Sequence, residues 1–237
     1  MKAMIFAAGF GTRLKPFTLS HPKALCPVNN IPLLERNILY LQSFGIKDFV
    51  INVHYFADQI RDFLKQKDYF GCNIEISDET DAILETGGGL LKARPFLENE
   101  TFVLMNVDIL TDLNLDLMLK QHQEKKALVT LAASDRSSSR KLLFDDLGRL
   151  CGWRNTSDQD QKIVRESDEY NPLAFSGVHI IEPELFSLFR QEGKFSIIET
   201  YLDLAPEQKI FSFDHTGGIL VDVGKPESVI EAEKWFK

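Results

Sequence analysis

The residues with the clearest chemical potential are two glycines, a threonine and two cations near the start of the chain. Residues 2–27 read KAMIFAAGFGTRLKPFTLSHPKALCP, so Gly9, Gly11, Thr12 and Arg13 follow an apolar run, and Lys23 comes a little later. Glycine accepts the positive φ angles of a tight turn and lets a ligand approach the main chain. Successive backbone N–H groups in such a turn form a concavity for anions. The planar fork of an arginine matches phosphate oxygens, and a lysine adds a point charge. The chemistry this predicts is phosphate binding. Two familiar phosphate motifs do not fit. Position 14 is Leu, where the dinucleotide fingerprint needs its third glycine, and no Gly-Lys-Ser/Thr triplet closes a longer loop. What remains is a longer string: G-x-G-T-R, then Pro16 and Thr18, then Pro22-Lys23-Ala24-Leu25.

Other chemically able residues stand at the ends of apolar runs. Asn52 and His54 follow Phe49-Val50-Ile51, and Asp108 follows Phe102–Asn106. Asp222 follows Ile219-Leu220-Val221. Each has a bland alternative, as a cap of its strand or turn. Glu85-Thr86-Gly87-Gly88-Gly89 leads into an amphipathic stretch, Leu90–Ala93. Three glycines in a row are costly in chain entropy, so something should require them. A helix N-terminus fed by glycine backbone is a site for a flat or anionic ligand; a flexible linker is the alternative. Gly177, inside the strand-like run Leu173–Ile181, suggests close approach of another backbone or a ligand.

The elements that must position these residues alternate. Ala3–Ala8 reads as a buried strand and Ile31–Phe44 as a helix, with Pro32 at its start and Gly45 after its last turn. Asp48–Val53 reads as a strand, Phe56–Lys67 as a helix and Asn73–Ser77 as a strand. This order predicts a mixed, mainly parallel α/β sheet flanked by helices, a Rossmann-like single domain. Ligands of such sheets bind beyond the carboxyl ends of the strands, where the Gly9–Arg13 turn falls. Further on come a strand at Thr101–Asn106, a helix at Leu113–Lys126 and a strand at Ala127–Ala133. Lys141–Phe144 and Arg149–Trp153 form a hairpin around a glycine turn. Asn155–Asp168 reads as a solvated loop, Pro183–Phe189 and Ser196–Leu204 as helices, and Pro226–Trp235 as a final helix.

Composition bounds the partners. The 237 residues carry a formal net charge of −8. That argues against nucleic acid, which calls for a basic face, but not against a nucleotide held at a locally basic site. No apolar run has the length of a membrane span and the N-terminus lacks a signal peptide, so no membrane partner is expected. Cys26, Cys72 and Cys151 are scattered without metal-like spacing, which reads as reduced thiols and cytoplasmic residence.

The string from Ala7 to Leu25 resembles the signature of the sugar-1-phosphate nucleotidyltransferases, the enzymes that make NDP-sugars. Their pattern is roughly A-G-G-x-G-T-R-L-x-P-x-T followed by P-K-P. Ala8 replaces the first glycine of the usual pair, and Ala24 a common proline. The resemblance implies a nucleotidyltransferase GT-A-like fold, with residues 1–111 mainly nucleotide-binding and 112–237 mainly sugar-binding. It implies that Ala7, Ala8, Gly9, Gly11, Thr12, Asn52 and His54 bind the nucleotide, with Thr86, Gly87 and Gly88 against the base or ribose. It makes Arg13 and Lys23 catalytic, and Asn106, Glu166, Gly177 and Glu199 sugar-binding. Asp108 and Asp222 correspond to the family's Mg²⁺ ligands, although Val107 replaces a frequent glycine and Lys225 the usual threonine. The Glu85–Gly89 pattern is most like the N-acetylmuramate-1-phosphate uridylyltransferase branch. The expected substrates are therefore UTP and N-acetylmuramic acid 1-phosphate, with GTP and mannose- or heptose-1-phosphate as the alternative, in a monomer or homodimer. A nucleotide-sugar sensor without turnover is the competing class. Retention of Arg13, Lys23, Asp108 and Asp222 argues against it.

Overall fold

The computed structural model describes residues 1–158 and 160–237. In chain order the elements are β1 (Lys2–Phe6), β2 (Pro27–Val28), β3 (Ile31–Pro32), α1 (Leu33–Ser43), β4 (Asp48–Val53), α2 (Ala57–Gln66) and β5 (Asn73–Asp78). Next come α3 (Glu85–Lys92), α4 (Arg94–Leu97), β6 (Phe102–Asn106), β7 (Ile109–Thr111), α5 (Leu115–Lys125), β8 (Val129–Ser134), β9 (Arg140–Phe144) and β10 (Leu150–Asn155). The chain continues through β11 (Gln161–Ile163), β12 (Asn171–Ile181), α6 (Ile197–Leu204), β13 (Ile210–Asp214), β14 (Leu220–Asp222) and α7 (Pro226–Trp235).

One ten-stranded mixed sheet organises the chain, in the order β11-β10-β9-β12-β6-β1-β4-β5, with β8 paired to β12 and β13 to β8. The segment β6-β1-β4-β5 is wholly parallel. The long strand β12 joins it antiparallel to the second half. Side chains of the central strands alternate between two cores, as the period of a strand requires. Ala3 and Ile5 of β1, Phe49 and Ile51 of β4, and Val103 and Met105 of β6 face one core with Leu34, Ile38 and Leu41 of α1 and Ile60 of α2. Met4, Val50 and Leu104 face the other, with Leu90 of α3, Leu97 of α4 and Tyr201 of α6. A sheet buried on both faces offers its strand ends for ligands.

Local chemistry sets several element ends. The Asn114 side chain accepts from Leu117 N–H at 3.1 Å and starts α5, and Ser196 accepts from Ile198 N–H at 3.3 Å to start α6. Pro226 sits in the first turn of α7, where its missing N–H costs nothing.

Three sequence expectations need correction. The glycine triplet does not feed a helix; it lies inside α3, which begins at Glu85. Residues 183–187 form a 3₁₀ turn in place of an α-helix. The expected loop at 155–168 contains β11, which pairs with β10. The strands β2, β3, β7 and β13 escaped the sequence analysis: β2 and β3 are two residues long, β3 takes Ile31 and Pro32 from the expected start of α1, β7 is three residues long, and β13 lies past the expected helix that ends at Leu204. Among the described residues no helix is long and apolar enough to cross a membrane.

Candidate active site

The carboxyl edge of the parallel strands gathers most of the predicted residues. Phe6, the last residue of β1, is in register with Asn52 of β4 on one side and Asn106 of β6 on the other. The chain leaves β1 through Ala7, Ala8 and Gly9 into the turn at Gly11. Gly11 has φ 61°, and a Cβ there would stand 2.9 Å from Lys23 Cβ and 3.0 Å from Thr18 Cγ2. Glycine is thus required twice, by the left-handed backbone and by the lysine stem packed over it. The Thr18 hydroxyl donates to the Gly11 carbonyl oxygen at 2.9 Å and ties the turn to the segment that delivers Lys23.

This edge opens into a cavity of about 570 Å³. Ala7, Ala8, Gly9, Gly11, Thr12, Arg13, Lys23, Asn52, Thr86, Asn106 and Asp108 all line it. Of the sequence-predicted residues these line the cavity, and Asp222 lies outside its lining, next to Asp108. The volume falls in the range of small-ligand sites.

Asp108 and Asp222 meet because β7 and β14 pair. Asp222 is opposite Ile109 in that ladder, and Val223 N–H donates to the Asp108 carbonyl oxygen at 2.8 Å. Lys23 is mostly buried and its ammonium donates to Asp108 Oδ2. Asp222 Oδ1 is buried without a hydrogen-bond partner. Burial first, and the neighbouring Asp108 charge second, push the Asp222 carboxyl above its ordinary pKa, against the opposing pull of Lys23 and Arg13. A Cβ on Gly224 would lie 2.9 Å from Asp222 Oδ1 and 3.0 Å from Arg13 Nη2, so the absence of a side chain there leaves room for the aspartate and the guanidinium together.

The opposite wall is held by a relay that sequence reasoning missed. Asn52 Oδ1 accepts from Ala7 N–H at 2.6 Å, and its Nδ2 donates to Glu79 Oε1 at 2.7 Å. Glu79 is completely buried, and desolvation raises its carboxyl pKa. Glu79 therefore orients the Asn52 amide, which in turn fixes the start of the phosphate turn. Ile83, Glu85, Ser196 and Phe10 also line the cavity. Glu85 adopts φ 58°, uncommon for a non-glycine residue. Phe10 is exposed, with its ring against His54 and Tyr55 at centroid distances of 5.3 and 5.6 Å. An exposed aromatic between two glycines was the available signal for Phe10. Glu79 gave none, because its partners come from other elements.

Several predicted residues lie elsewhere. Gly87 and Gly88 do not line the cavity. A Cβ on Gly87 would stand 2.2 Å from Phe195 Cε2, and one on Gly88 2.0 Å from the Gly193 carbonyl oxygen. Gly87 N–H donates to the Phe195 carbonyl oxygen at 2.9 Å. These glycines let α3 dock on the segment that leads into α6. The Thr86 hydroxyl accepts from Ile197 N–H at 2.9 Å and joins the same contact. His54 stands behind the wall, with Nδ1 2.6 Å from the Glu79 carbonyl oxygen. Gly177 backs the cavity: it has φ 73°, and a Cβ there would meet Ile109 Cγ1 at 2.6 Å and Asn106 Nδ2 at 3.1 Å. Glu166 and Glu199 are exposed and outside the cavity lining, Glu166 accepting from the Tyr170 hydroxyl at 3.3 Å.

Comparison with known proteins agrees with this geometry. The nucleotidyl transferase family model matches residues 2–142. N-acetylmuramate alpha-1-phosphate uridylyltransferase of Caulobacter vibrioides is 32% identical, over 98% of this chain and 95% of its own length. Mannose-1-phosphate guanyltransferase of Yarrowia lipolytica is 28% identical over 97% of this chain, which spans 62% of that protein's length. A putative glucose-1-phosphate thymidylyltransferase from Bacillus anthracis has the same fold, with a TM-score of 0.81 at 18% identity over 99% of this chain and 94% of that one. The chain belongs to the nucleotidyl transferase family and is an enzyme of that class.

Proposed function

We propose that this protein transfers a nucleotidyl group from a nucleoside triphosphate to a sugar 1-phosphate, giving an NDP-sugar and pyrophosphate. The observation that carries this reading is the convergence of Arg13, Lys23, the Gly9–Gly11 turn and Asp108 at one cavity, with Asp222 brought beside Asp108 by the β7–β14 pairing. In the reaction a phosphate oxygen of the sugar 1-phosphate attacks the α-phosphorus, and the bond from that phosphorus to the bridging oxygen of pyrophosphate breaks. The nucleophile is already an anion, so no general base is required. Catalysis is then positioning and charge neutralisation. Lys23, held by Asp108 beside the turn, draws the two phosphates together. Arg13 and the turn amides hold the β- and γ-phosphates as they leave. Asn52 and Glu79 keep the start of the turn in place.

Mg²⁺ fits the two carboxylates. Asp222 Oδ1 lacks any partner in a buried position, and both donors are hard oxygens. Among the described residues there is no group of three or more His, Cys, Asp or Glu able to hold a metal, so water and substrate oxygens would complete the shell around two carboxylates. Asp108 and Asp222 would hold the ion, whose positive charge would offset that of the phosphates.

For substrates, the reading is UTP and N-acetylmuramic acid 1-phosphate, supported by the near full-length match to the Caulobacter enzyme. GTP with mannose- or heptose-1-phosphate is the second reading, favoured by the matches to the Yarrowia enzyme and to a D-glycero-alpha-D-manno-heptose 1-phosphate guanylyltransferase of Campylobacter jejuni. Pyrophosphate release with Mg²⁺, across four nucleoside triphosphates and a panel of sugar 1-phosphates, tests both. Turnover highest with UTP and the muramate supports the first reading, and turnover highest with GTP and the mannose or heptose supports the second. Nucleotide binding without turnover on any pair contradicts the enzymatic reading.

A further inference from the structure

Helix α1 carries one polar side chain in its apolar stripe. Asn37 stands between Leu34 and Leu41 on the buried face and is 1% exposed, as enclosed as the leucines around it. An amide in that position costs stability unless it is hydrogen-bonded. Its Nδ2 donates to the Val107 carbonyl oxygen at 2.8 Å, across 70 residues of chain. Val107 and Asp108 form the turn between β6 and β7. Val107 and Asp108 line the cavity, and Asn37 is outside its lining.

Three hydrogen bonds fix this turn. Val107 N–H donates to the Phe6 carbonyl oxygen at 3.1 Å, which ties the turn to the end of β1. The Asp108 carbonyl oxygen accepts from Val223 N–H at 2.8 Å, which ties it to the residue after Asp222. Asn37 holds the peptide in between, the one that joins Val107 to Asp108. A peptide group is planar, so fixing its oxygen fixes the direction in which the chain enters Asp108. A second side chain of α1, one turn further on, acts at the far end of β7. The Tyr40 hydroxyl donates to the Leu113 carbonyl oxygen at 2.5 Å. Helix α1 thus grips the main chain on both sides of β7, and only the Asn37 bond falls beside the carboxylate.

We propose that Asn37 is a positioning residue for the divalent-cation site: by holding the peptide that enters Asp108, it keeps that carboxylate in place beside Asp222 and raises the affinity of the pair for the ion. The inference rests on the reading of Asp108 and Asp222 as the Mg²⁺ ligands. Asn37 touches neither the ion nor a substrate. Losing an outer partner that orients a ligand typically weakens metal binding by about 10- to 100-fold. Here the partner acts through main chain, so the low end of that range, about 10-fold, is expected.

Two readouts test this in the wild type, Asn37→Leu, Asn37→Ser and Tyr40→Phe. One is the Mg²⁺ concentration that half-saturates turnover. The other is calorimetric: the factor by which Mg²⁺ tightens binding of UTP, or of GTP if turnover favours it, relative to binding in EDTA. Both Asn37 variants are expected to raise the half-saturating Mg²⁺ and to shrink the tightening, each by about 10-fold. Nucleotide affinity in EDTA should stay at the wild-type value. Tyr40→Phe loses the other α1 bond and should melt lower while both Mg²⁺ quantities stay put. Melting curves are read first, and Asn37→Ser carries the comparison if the leucine variant does not fold. Unchanged Mg²⁺ quantities in the Asn37 variants overturn the proposal and leave Asn37 a structural role. Equal losses of nucleotide affinity with and without Mg²⁺, or the same Mg²⁺ effect in Tyr40→Phe, overturn it as well. A wild type whose turnover needs no divalent cation contradicts the underlying reading before any variant is compared.

Discussion

Lys23 and Asp108 neutralise one another in a mostly buried position, and the proposed reaction gives each a second task at the phosphates. Removing either is expected to lower kcat by about 10²–10³, the usual scale for one charge contact in a desolvated site. Steady-state rates of Lys23→Ala and Asp108→Ala check this, and near wild-type kcat in either would remove that residue from the mechanism. Asn52 makes a different prediction. Asn52→Ala leaves the Ala7 N–H and the buried Glu79 carboxylate without their partner, at about 1–3 kcal/mol for each unsatisfied group. Urea unfolding should show that loss together with a raised KM for nucleotide. At this scale Arg13 and Lys23 were legible because they stand in one recognisable string, and Asp108 because it follows the end of a buried, apolar strand. Glu79 was not, because its role exists only where the end of β5 meets β4.

The α3 glycines carry the prediction at the scale of elements. In an exposed helix Gly→Ala is stabilising by about 1 kcal/mol. Here the sign inverts: a Cβ on Gly88 would stand 2.0 Å from the Gly193 carbonyl oxygen, which is backbone and cannot swing aside. Gly88→Ala is expected to destabilise the protein by about 1–3 kcal/mol through overpacking. A melting temperature equal to or above wild type would show that the 193–195 segment is not docked on α3. The sequence did reveal that something must require these glycines, but it assigned the demand to a ligand. The partner that makes the demand, Phe195 with Gly193, is about a hundred residues away and carries no local mark. The alternating strands and helices of the first half were legible from periodicity. The second half was harder, because β12 pairs with three strands and bends at Gly177, and a short strand such as β7 exists only through its pairing with β14.

At the scale of the whole molecule, buried histidines lower stability as the pH falls. His179 is enclosed in β12, with Nδ1 2.8 Å from the Tyr201 hydroxyl, and burial holds its pKa down to about 3. His122 is lowered in the same direction, mainly by burial. The folded state refuses a proton that the unfolded chain accepts near pH 6.5. The stabilising contribution is therefore fully present above that pH and is lost as pH falls toward 3. Between pH 6.5 and pH 5 His179 alone should account for about 2 kcal/mol. The fall in urea midpoint over that range should shrink in His179→Phe; an unchanged fall would contradict the burial argument.

The central claim of the proposed function is that bond formation occurs at the α-phosphorus, in the cavity lined by Arg13, Lys23 and Asp108. The most direct measurement follows UTP labelled at the α-phosphate, incubated with enzyme, Mg²⁺ and N-acetylmuramic acid 1-phosphate. The account predicts that the label passes into the sugar nucleotide while unlabelled pyrophosphate appears in equal amount. Label released as free UMP, or retained in UDP while the terminal phosphate moves to the sugar, would contradict it.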